Sequence, residues 1–363
     1  MKVALLTYST RPRGGVVHTL ALAEALADKG VSVDVWSLAR GGDQGFFRAV
    51  DDRVGIRLVS FPDVEGEGVG ARILRSISAL RAGFVDDYDV VHAQDCISAN
   101  AVPRCIRTVH HLDTFTTPEL AACHDRAIVT PYAHICVSAA VAAEVHAGWG
   151  LTPTVIPNGV DASRFDAAAE DRVARSAWRE RLGRYVLAVG GIEPRKGSHD
   201  LIRAMSHVQN HDPELRLVIA GGETLFDYRD YRAEFDRLCT SMQVAPVVLG
   251  PVDHDALPAL VAQADVLAFP STKEGFGLAA MEALAAGVPV VARDLPVLRE
   301  VFGDAVVYAA DAHELATGLL AASWTRDPVR ANRGRGLAAS FTWRDAARRH
   351  LALYATASST PAG

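Results

Sequence analysis

Two glutamates with seven residues between them, Glu274 and Glu282, flank the turn Gly275-Phe276-Gly277. The alanine-rich segment after this turn predicts a short helix, and its first backbone N–H groups, from Phe276 to Leu278, have no partners within the helix. A helix N-terminus of this kind favours an anion such as a diphosphate, and a carboxylate accepts hydrogen bonds from the hydroxyls of a ribose or sugar. The segment therefore indicates a sugar-nucleotide site.

A second charged loop lies earlier, at Gly190–Gly197, directly after a strand predicted at Val186–Val189. Its cations are Arg195 and Lys196. An arginine can chelate phosphate oxygens and a lysine adds a point charge, so this pair suits a diphosphate. A solvated loop with two surface charges is the alternative.

Glycines and polar residues also follow predicted strands near the N-terminus. Gly14 and Gly15 open a helix after the strand Val3–Leu6, where they allow close approach of a substrate and offer amides to an anion. His92 and Asp95 come after the strand Val90-Val91, and for both a structural role and an acceptor-binding role remain open. The G-x-G-x-x-G fingerprint of nicotinamide enzymes is absent, which disfavours a dehydrogenase.

The order of apolar runs predicts two α/β halves. Short apolar segments alternate with helical segments, an order typical of parallel sheets with helices on both faces. Ligands of such sheets bind beyond the carboxyl ends of the strands. The predicted divisions are an N-terminal domain at 1–160, a linker at 161–183, a C-terminal domain at 184–340, a helix at 341–355 and a flexible tail at 356–363.

Composition sets outer bounds on function. Hydrophobic residues are 49% and charged residues 22% of 363 residues, a globular balance, and the net charge of -6 gives no reason to expect a nucleic acid partner. The five cysteines show no C-x-x-C spacing, and neither a signal peptide nor a membrane span is recognisable, so we expect a cytoplasmic protein. No protein partner is inferred.

The segment from Glu274 to Glu282, with its glycines and apolar neighbours, resembles the signature of retaining glycosyltransferases of family 4 (glycosyl transferases group 1). The resemblance covers nearly the whole chain. It implies the GT-B fold: two facing Rossmann-like domains, with a C-terminal helix that crosses back to the N-terminal domain.

The resemblance also implies roles for single residues. His110 matches the family histidine that reaches the donor sugar, and its neighbour His111 could compete for that role. Asp113 could accept a proton from the acceptor, and Asn158 lies in a segment similar to the family's inter-domain segment. Val252 follows Gly250-Pro251 in a stretch similar to the one that recognises the nucleotide base.

The donor loops resemble those of the family with one departure. Gly14-Gly15 is similar to the family's first glycine-rich loop. In the second loop, Gly191 stands where most members have an arginine, and Arg195 could replace that arginine.

The implied activity is that of a retaining hexosyltransferase, which moves a sugar from a UDP- or GDP-linked donor to a hydroxyl acceptor by same-face substitution, without a metal. A nucleotide-sugar epimerase on the same fold and a non-catalytic nucleotide-sugar-binding protein are the alternatives. Arg72, Arg75 and Arg81 lie on a predicted amphipathic helix, which leaves open a weak peripheral membrane contact; ordinary packing of that helix is the favoured interpretation.

Overall fold

The computed structural model describes residues 1–112, 118–222 and 228–357. The chain divides into two compact units, Met1–Gly159 with Thr342–Gly363, and Val160–Phe341. Each unit contains one parallel β-sheet, which confirms the prediction of two Rossmann-like α/β domains.

The first unit has a seven-stranded sheet in the order β3-β2-β1-β4-β5-β6-β7. The third strand in this order is the apolar run near the N-terminus, and Val3, Ala4, Leu5 and Leu6 are fully buried because helices cover both faces. The strands are β1 (Lys2–Leu6), β2 (Ser32–Arg40), β3 (Val54–Phe61), β4 (Val90–Ala93), β5 (Ile106–Val109), β6 (Ala133–Cys136) and β7 (Thr154–Val155).

The helices of this unit connect successive strands. Helix α1 begins at the glycine pair after β1, and α3 and α5 begin at side-chain caps, Asp95 and Ser138. The helices are α1 (Gly14–Ala27), α2 (Val69–Gly83), α3 (Cys96–Ala101), α4 (Pro118–Val129) and α5 (Ala139–Trp149).

The second unit has a six-stranded sheet in the order β10-β9-β8-β11-β12-β13. In this order β8 and β11 are neighbours, so the loops that follow them meet at one edge of the sheet. The strands are β8 (Arg184–Val189), β9 (Leu215–Ala220), β10 (Val247–Gly250), β11 (Val266–Phe269), β12 (Val290–Arg293) and β13 (Val307–Ala309).

Helices pack on both faces of this second sheet. They are α6 (Ala162–Glu170), α7 (Arg172–Leu182), α8 (Ser198–His211), α9 (Arg229–Met242), α10 (Leu257–Gln263), α11 (Leu278–Ala285), α12 (Pro296–Phe302), α13 (Ala312–Trp324) and α14 (Pro328–Ser340).

The prediction of a linker at 161–183 is wrong. This segment forms helices α6 and α7, which pack against α10 and α11 and belong to the second unit. The polar sequence reflects exposed helix surfaces: Phe165, Ala169 and Leu182 are the buried residues of the two helices. Three buried apolar residues are enough to attach the pair to the unit.

The last helix, α15 (Trp343–Ala357), returns to the first unit. Ala347 and Tyr354 are fully buried in the core formed by β1, α1 and their neighbours, and Trp343 and Leu351 pack against that core. Gly159 explains how closely the two ends of this unit approach, because a Cβ there would lie 2.4 Å from the backbone nitrogen of Trp343. The predicted return of the C-terminal helix is confirmed.

Candidate functional site

The loop after β8 contains a short 3-10 helix at Pro194–Lys196. The N–H of Lys196 donates to the carbonyl of Glu193 (3.0 Å). The helix ends at Gly197, whose φ of 66° lies in the left-handed region that glycine adopts without strain. A tight turn therefore holds Arg195 and Lys196 at the end of the strand.

The loop after β11, Pro270–Gly277, lies beside this turn. The N–H of Thr272 donates to the carbonyl of Arg195 (2.8 Å), and a Cβ on Gly197 would lie 2.2 Å from the carbonyl oxygen of Pro270. Two segments almost 80 residues apart in sequence are thus in backbone contact.

A charged cluster of four side chains forms where these loops meet. Nζ of Lys196 lies 2.5 Å from Oε1 of Glu274, and Nη1 of Arg195 lies 3.4 Å from the same oxygen. Nη2 of Arg195 lies 2.9 Å from Oε1 of Glu193. The Glu274 side chain is only 10% exposed, whereas those of Lys196 and Arg195 are 20% and 26% exposed. The cations therefore form the accessible side of the cluster.

The pKa of Glu274 reports the balance of charge. Burial by itself raises this pKa, but the charges of Lys196 and Arg195, with hydrogen bonds from Lys196 and Ser271, lower it to about 2. Glu274 is thus ionised at neutral pH and pairs with Lys196. An arriving anion can compete for the lysine and free the carboxylate for a hydroxyl donor.

Helix α11 begins next to this cluster. Its cap, Gly277, has a φ of 93°, and a Cβ there would lie 2.7 Å from the ring of Phe302. Ala280 and Met281 donate the first helical hydrogen bonds, both to the carbonyl of Gly277 (3.1 Å). The preceding amides, from Phe276 to Leu278, are not used within the helix, so this end can bind an anion.

Glu282 lies one turn inside α11 and is half-buried. Burial raises its pKa, Arg164 lowers it and Asp161 raises it, and the net result is a pKa of about 7. The acid-base behaviour of Glu282 is therefore opposite to that of Glu274. Its contribution to nucleotide binding stays a prediction.

Val252 follows β10 and is half-buried. The residue before it, Pro251, packs against Gly222, where a Cβ would lie 3.0 Å from Cγ of the proline. The loops after β9 and β10 are therefore adjacent, and base recognition by Val252 stays a prediction.

In the first unit, the structure brings together two of the predicted residues, Gly15 and His110. A Cβ on Gly15 would lie 3.7 Å from Cδ2 of His110, and Nε2 of His110 lies 3.2 Å from Oε1 of Gln94. Burial, and then the nearby His111, lower the pKa of His110 to about 3. The imidazole is therefore neutral at physiological pH and suits hydrogen bonding to hydroxyls. Gly14 opens α1 with no atom within 4 Å of a Cβ built on it.

For His92, the structure favours the structural one of the two alternatives. His92 is completely buried, with Nδ1 2.7 Å from the hydroxyl of Tyr354 and Nε2 2.7 Å from Oγ1 of Thr108. Both ring nitrogens are satisfied within the first unit, and nothing remains for an acceptor.

For Asp95, too, the structure favours the structural alternative. Its carboxylate caps α3 by accepting from the N–H of Ser98 (2.8 Å), and it also accepts from the hydroxyl of Ser98 (2.9 Å) and the N–H of Tyr8 (2.9 Å). These hydrogen bonds give the carboxylate a structural role that involves no substrate.

Three predicted residues of this unit remain: Asn158, His111 and Asp113. Asn158 is buried, with Oδ1 2.9 Å from Nδ1 of His18. His111 is half-buried beside His110, and Asp113 lies outside the described residues. Roles for His111 and Asp113 stay predictions.

Sequence reasoning missed His18, which is fully buried and stacks edge-on against His110 with ring centroids 4.8 Å apart. The available signal was a histidine three residues after Gly15, in a helix whose other polar side chains are Thr19 and Glu24. Glu193 and Ser271 were also missed, although both lie in the loops already singled out.

The predicted basic helix, α2, has partners inside the protein. Arg75 forms an ion pair with Glu67 (2.7 Å), and Arg81 donates to the carbonyl of Asn100 (2.5 Å). Its other face is buried through Ile73, Ile77 and Leu80. These contacts favour ordinary packing.

Across the described ranges, no group of three or more His, Cys, Asp or Glu residues is arranged to hold a metal ion. No helix in the same ranges is both long and apolar enough to span a bilayer.

Comparison with solved structures defines the class of protein. Anabaena HepE in complex with UDP and glucose superimposes with a TM-score of 0.75 at 20% identity, covering 98% of this chain and 99% of that one. Sucrose-phosphate synthase from Thermosynechococcus elongatus gives a TM-score of 0.76 at 20% identity, covering 98% of each chain. The two parallel-sheet units are those of the GT-B fold.

Comparison with protein families then identifies the family. The model described as Glycosyltransferase Family 4 matches residues 12–164, and the model described as Glycosyl transferases group 1 matches residues 175–327. The D-inositol 3-phosphate glycosyltransferase of Salinispora arenicola is 32% identical, over 96% of this chain and 87% of its own length. The chain therefore belongs to the family 4 (group 1) glycosyltransferases.

Proposed function

We propose that this glycosyltransferase moves a sugar from a nucleoside-diphosphate donor to a hydroxyl acceptor with retention of the anomeric configuration. The observation that carries the proposal is the cluster of Lys196, Arg195 and Glu274 beside the N-terminus of α11. Two cations, and helix amides that have no partners within the helix, lie beyond the carboxyl ends of β8 and β11. Together they complement the negative charge of a diphosphate. HepE, a fold relative, was crystallised with UDP, which supports UDP as the first nucleotide to test, with GDP second.

The reaction we propose is a same-face substitution. The acceptor oxygen forms a bond to the anomeric carbon as the bond from that carbon to the diphosphate breaks, and the acceptor proton passes to the departing phosphate oxygen. Negative charge grows on the diphosphate, where Lys196, Arg195 and the amides at Phe276–Leu278 stabilise it. These groups supply the positive charge that a metal would otherwise provide, so we propose a metal-independent reaction.

Supporting roles follow from charge and position. Once the diphosphate forms an ion pair with Lys196, the ionised Glu274 can accept hydrogen bonds from donor-sugar hydroxyls. Glu282 would accept from the ribose, and neutral His110 would contact the sugar. Arg195 would take the place of the family arginine absent at Gly191.

The test combines binding with product stereochemistry. Calorimetry with UDP, GDP and ADP should identify one tight nucleotide, whose binding is weakened in Lys196→Ala and kept in Lys273→Ala, a matched lysine from the neighbouring loop. Proton NMR of the product made from the α-linked donor, with EDTA present, should show an α-linkage.

Three results would contradict parts of this proposal. A β-linked product excludes retention, and loss of activity with EDTA excludes metal independence. Conversion of the donor to an epimer without an acceptor would instead establish the epimerase alternative.

A further inference from the structure

A cavity lies in the second unit, at the other end of α11 from the charged cluster. Its volume is about 220 Å³. Leu284 near the end of α11, Val290 of β12, Val307 of β13 and Ala322 of α13 contribute to an apolar wall, which α14 completes through Ala331. The cavity is smaller than the roughly 300–1,000 Å³ of a site for a drug-sized ligand. It therefore suits a small ligand whose apolar part has a few carbon atoms.

Cationic side chains gather at this cavity. Arg326 and Arg330 line it directly. Arg335 packs against another lining residue, Gly287, where a Cβ would lie 2.6 Å from Nη2 of the arginine. Two guanidinium groups therefore line the cavity, and a third packs against a residue of its wall.

Guanidinium groups outnumber carboxylates around Arg326. Its charged neighbours are Arg175, Arg179 and Arg335, with Asp265 as the acid. Arg335 has an acidic partner of its own, because its Nε lies 3.5 Å from Oδ1 of Asp166. Asp265 is already engaged, because it lies 3.0 Å from Nη1 of Arg179 and accepts from the N–H of Tyr185 (2.9 Å).

The one acid that lines the cavity is also engaged. The carboxylate of Asp327 caps α14 by accepting from the N–H groups of Val329 (3.0 Å) and Arg330 (3.1 Å). An anion in this cavity would consequently meet two lining guanidiniums, Arg326 and Arg330, beside an apolar wall.

We propose that this cavity binds a small organic anion with an apolar body, such as a short-chain carboxylate, its head at Arg326 and Arg330 and its chain against Leu284 and Ala322. Arginine forms bidentate, charge-assisted hydrogen bonds with such a head. The chain gains by leaving water.

The site is distinct from the proposed donor site. Helix α11 has eight residues, so its two ends are about 12 Å apart at 1.5 Å per residue. Its N-terminus lies at the charged cluster and its last turn forms part of the cavity wall.

The experiment uses the full chain and three probes that differ only in the head group: hexanoate, hexanol and hexylammonium. We expect saturable hexanoate binding by calorimetry, at least ten-fold weaker binding of hexanol and no binding of hexylammonium. The combined variant Arg326→Gln with Arg330→Gln should weaken hexanoate about ten-fold or more, the loss expected for charge-assisted hydrogen bonds.

Two further variants separate the cavity from general surface charge. Ala331→Leu fills the cavity and should abolish hexanoate binding, whereas Arg333→Gln, on the same helix but paired with Asp304, should leave it unchanged. UDP binding should persist in all of them. Equal binding of hexanoate and hexylammonium, or full hexanoate binding by a folded Ala331→Leu variant, would overturn the proposal.

Discussion

Gly197 and Pro270 approach so closely that a Cβ on the glycine would lie 2.2 Å from the carbonyl oxygen of the proline. The contact joins the loop after β8 to the loop after β11, and it places Lys196 against Glu274. The chemistry of the charged cluster therefore depends on a residue that has no side chain.

We expect Gly197→Ala to destabilise the protein and to weaken nucleotide binding. A non-glycine residue at a φ of 66° costs about 1–3 kcal/mol, and the clash with a backbone atom adds a cost of about 1–3 kcal/mol. Urea unfolding measures the free energy. Gly150→Ala is the matched control, since Gly150 has a φ of 69° and open space around its Cβ position. Equal destabilisation by both changes would show that the approach to Pro270 is unimportant.

Replacing Lys196 by alanine should lower turnover about 100-fold or more, the scale of losing one donor that stabilises charge in a transition state. The change also leaves Glu274 buried without its closest cation, so its pKa should rise from about 2. Initial rates of nucleotide release measure turnover. Lys273→Ala, in the adjacent loop, is the control. Comparable rates for the two variants would remove Lys196 from the proposed mechanism.

The raised pKa of Glu282 predicts that the stability of the protein depends on pH. The pKa of this side chain in the folded protein is about 7, above the ordinary value of 4.5. The folded state therefore binds the proton more tightly, and this stabilisation, present in full below pH 4.5, is lost as the pH rises through 7. The amplitude is at most about 3 kcal/mol.

The measurement is urea unfolding at intervals from pH 4.5 to 8, for the natural chain and for Glu282→Gln. The glutamine cannot titrate, so the variant should lose less stability than the natural chain over this interval. Parallel curves for the two proteins would mean that Glu282 has an ordinary pKa.

Tyr354→Phe tests how α15 attaches to the first unit. The hydroxyl bonds to Nδ1 of His92 (2.7 Å) in a fully buried setting, so its loss should cost about 1–3 kcal/mol. Differential scanning calorimetry reports the change. Tyr132→Phe is the control because Tyr132 is 37% exposed. UDP binding should be kept, since Tyr354 and the charged cluster lie in different units.

Much of the fold was predictable because short stretches of the sequence indicate each strand and helix. Buried parallel strands are apolar runs, and their alternation with amphipathic segments identified two sheets. Segment 161–183 was misinterpreted for a physical reason: α6 and α7 bury few residues, so their composition resembles that of an exposed connection. The two-residue strand β7 and the three-residue β13 were too short to give a pattern.

The sequence by itself determined the chemical inventory of the site, namely the cations at 195 and 196, the two glutamates and the glycines that shape their loops. Only the tertiary structure decided which of them meet and how each titrates. Glu274 and Glu282 belong to one motif, yet the first is held ionised by Lys196 while burial raises the pKa of the second. His92 lies in β4 and His110 directly follows β5, yet the ring nitrogens of His92 are bonded to Tyr354 and Thr108, whereas Nε2 of His110 lies 3.2 Å from Oε1 of Gln94. A pKa and a hydrogen-bond partner depend on burial and on neighbours brought in by folding, and neither is encoded in local sequence.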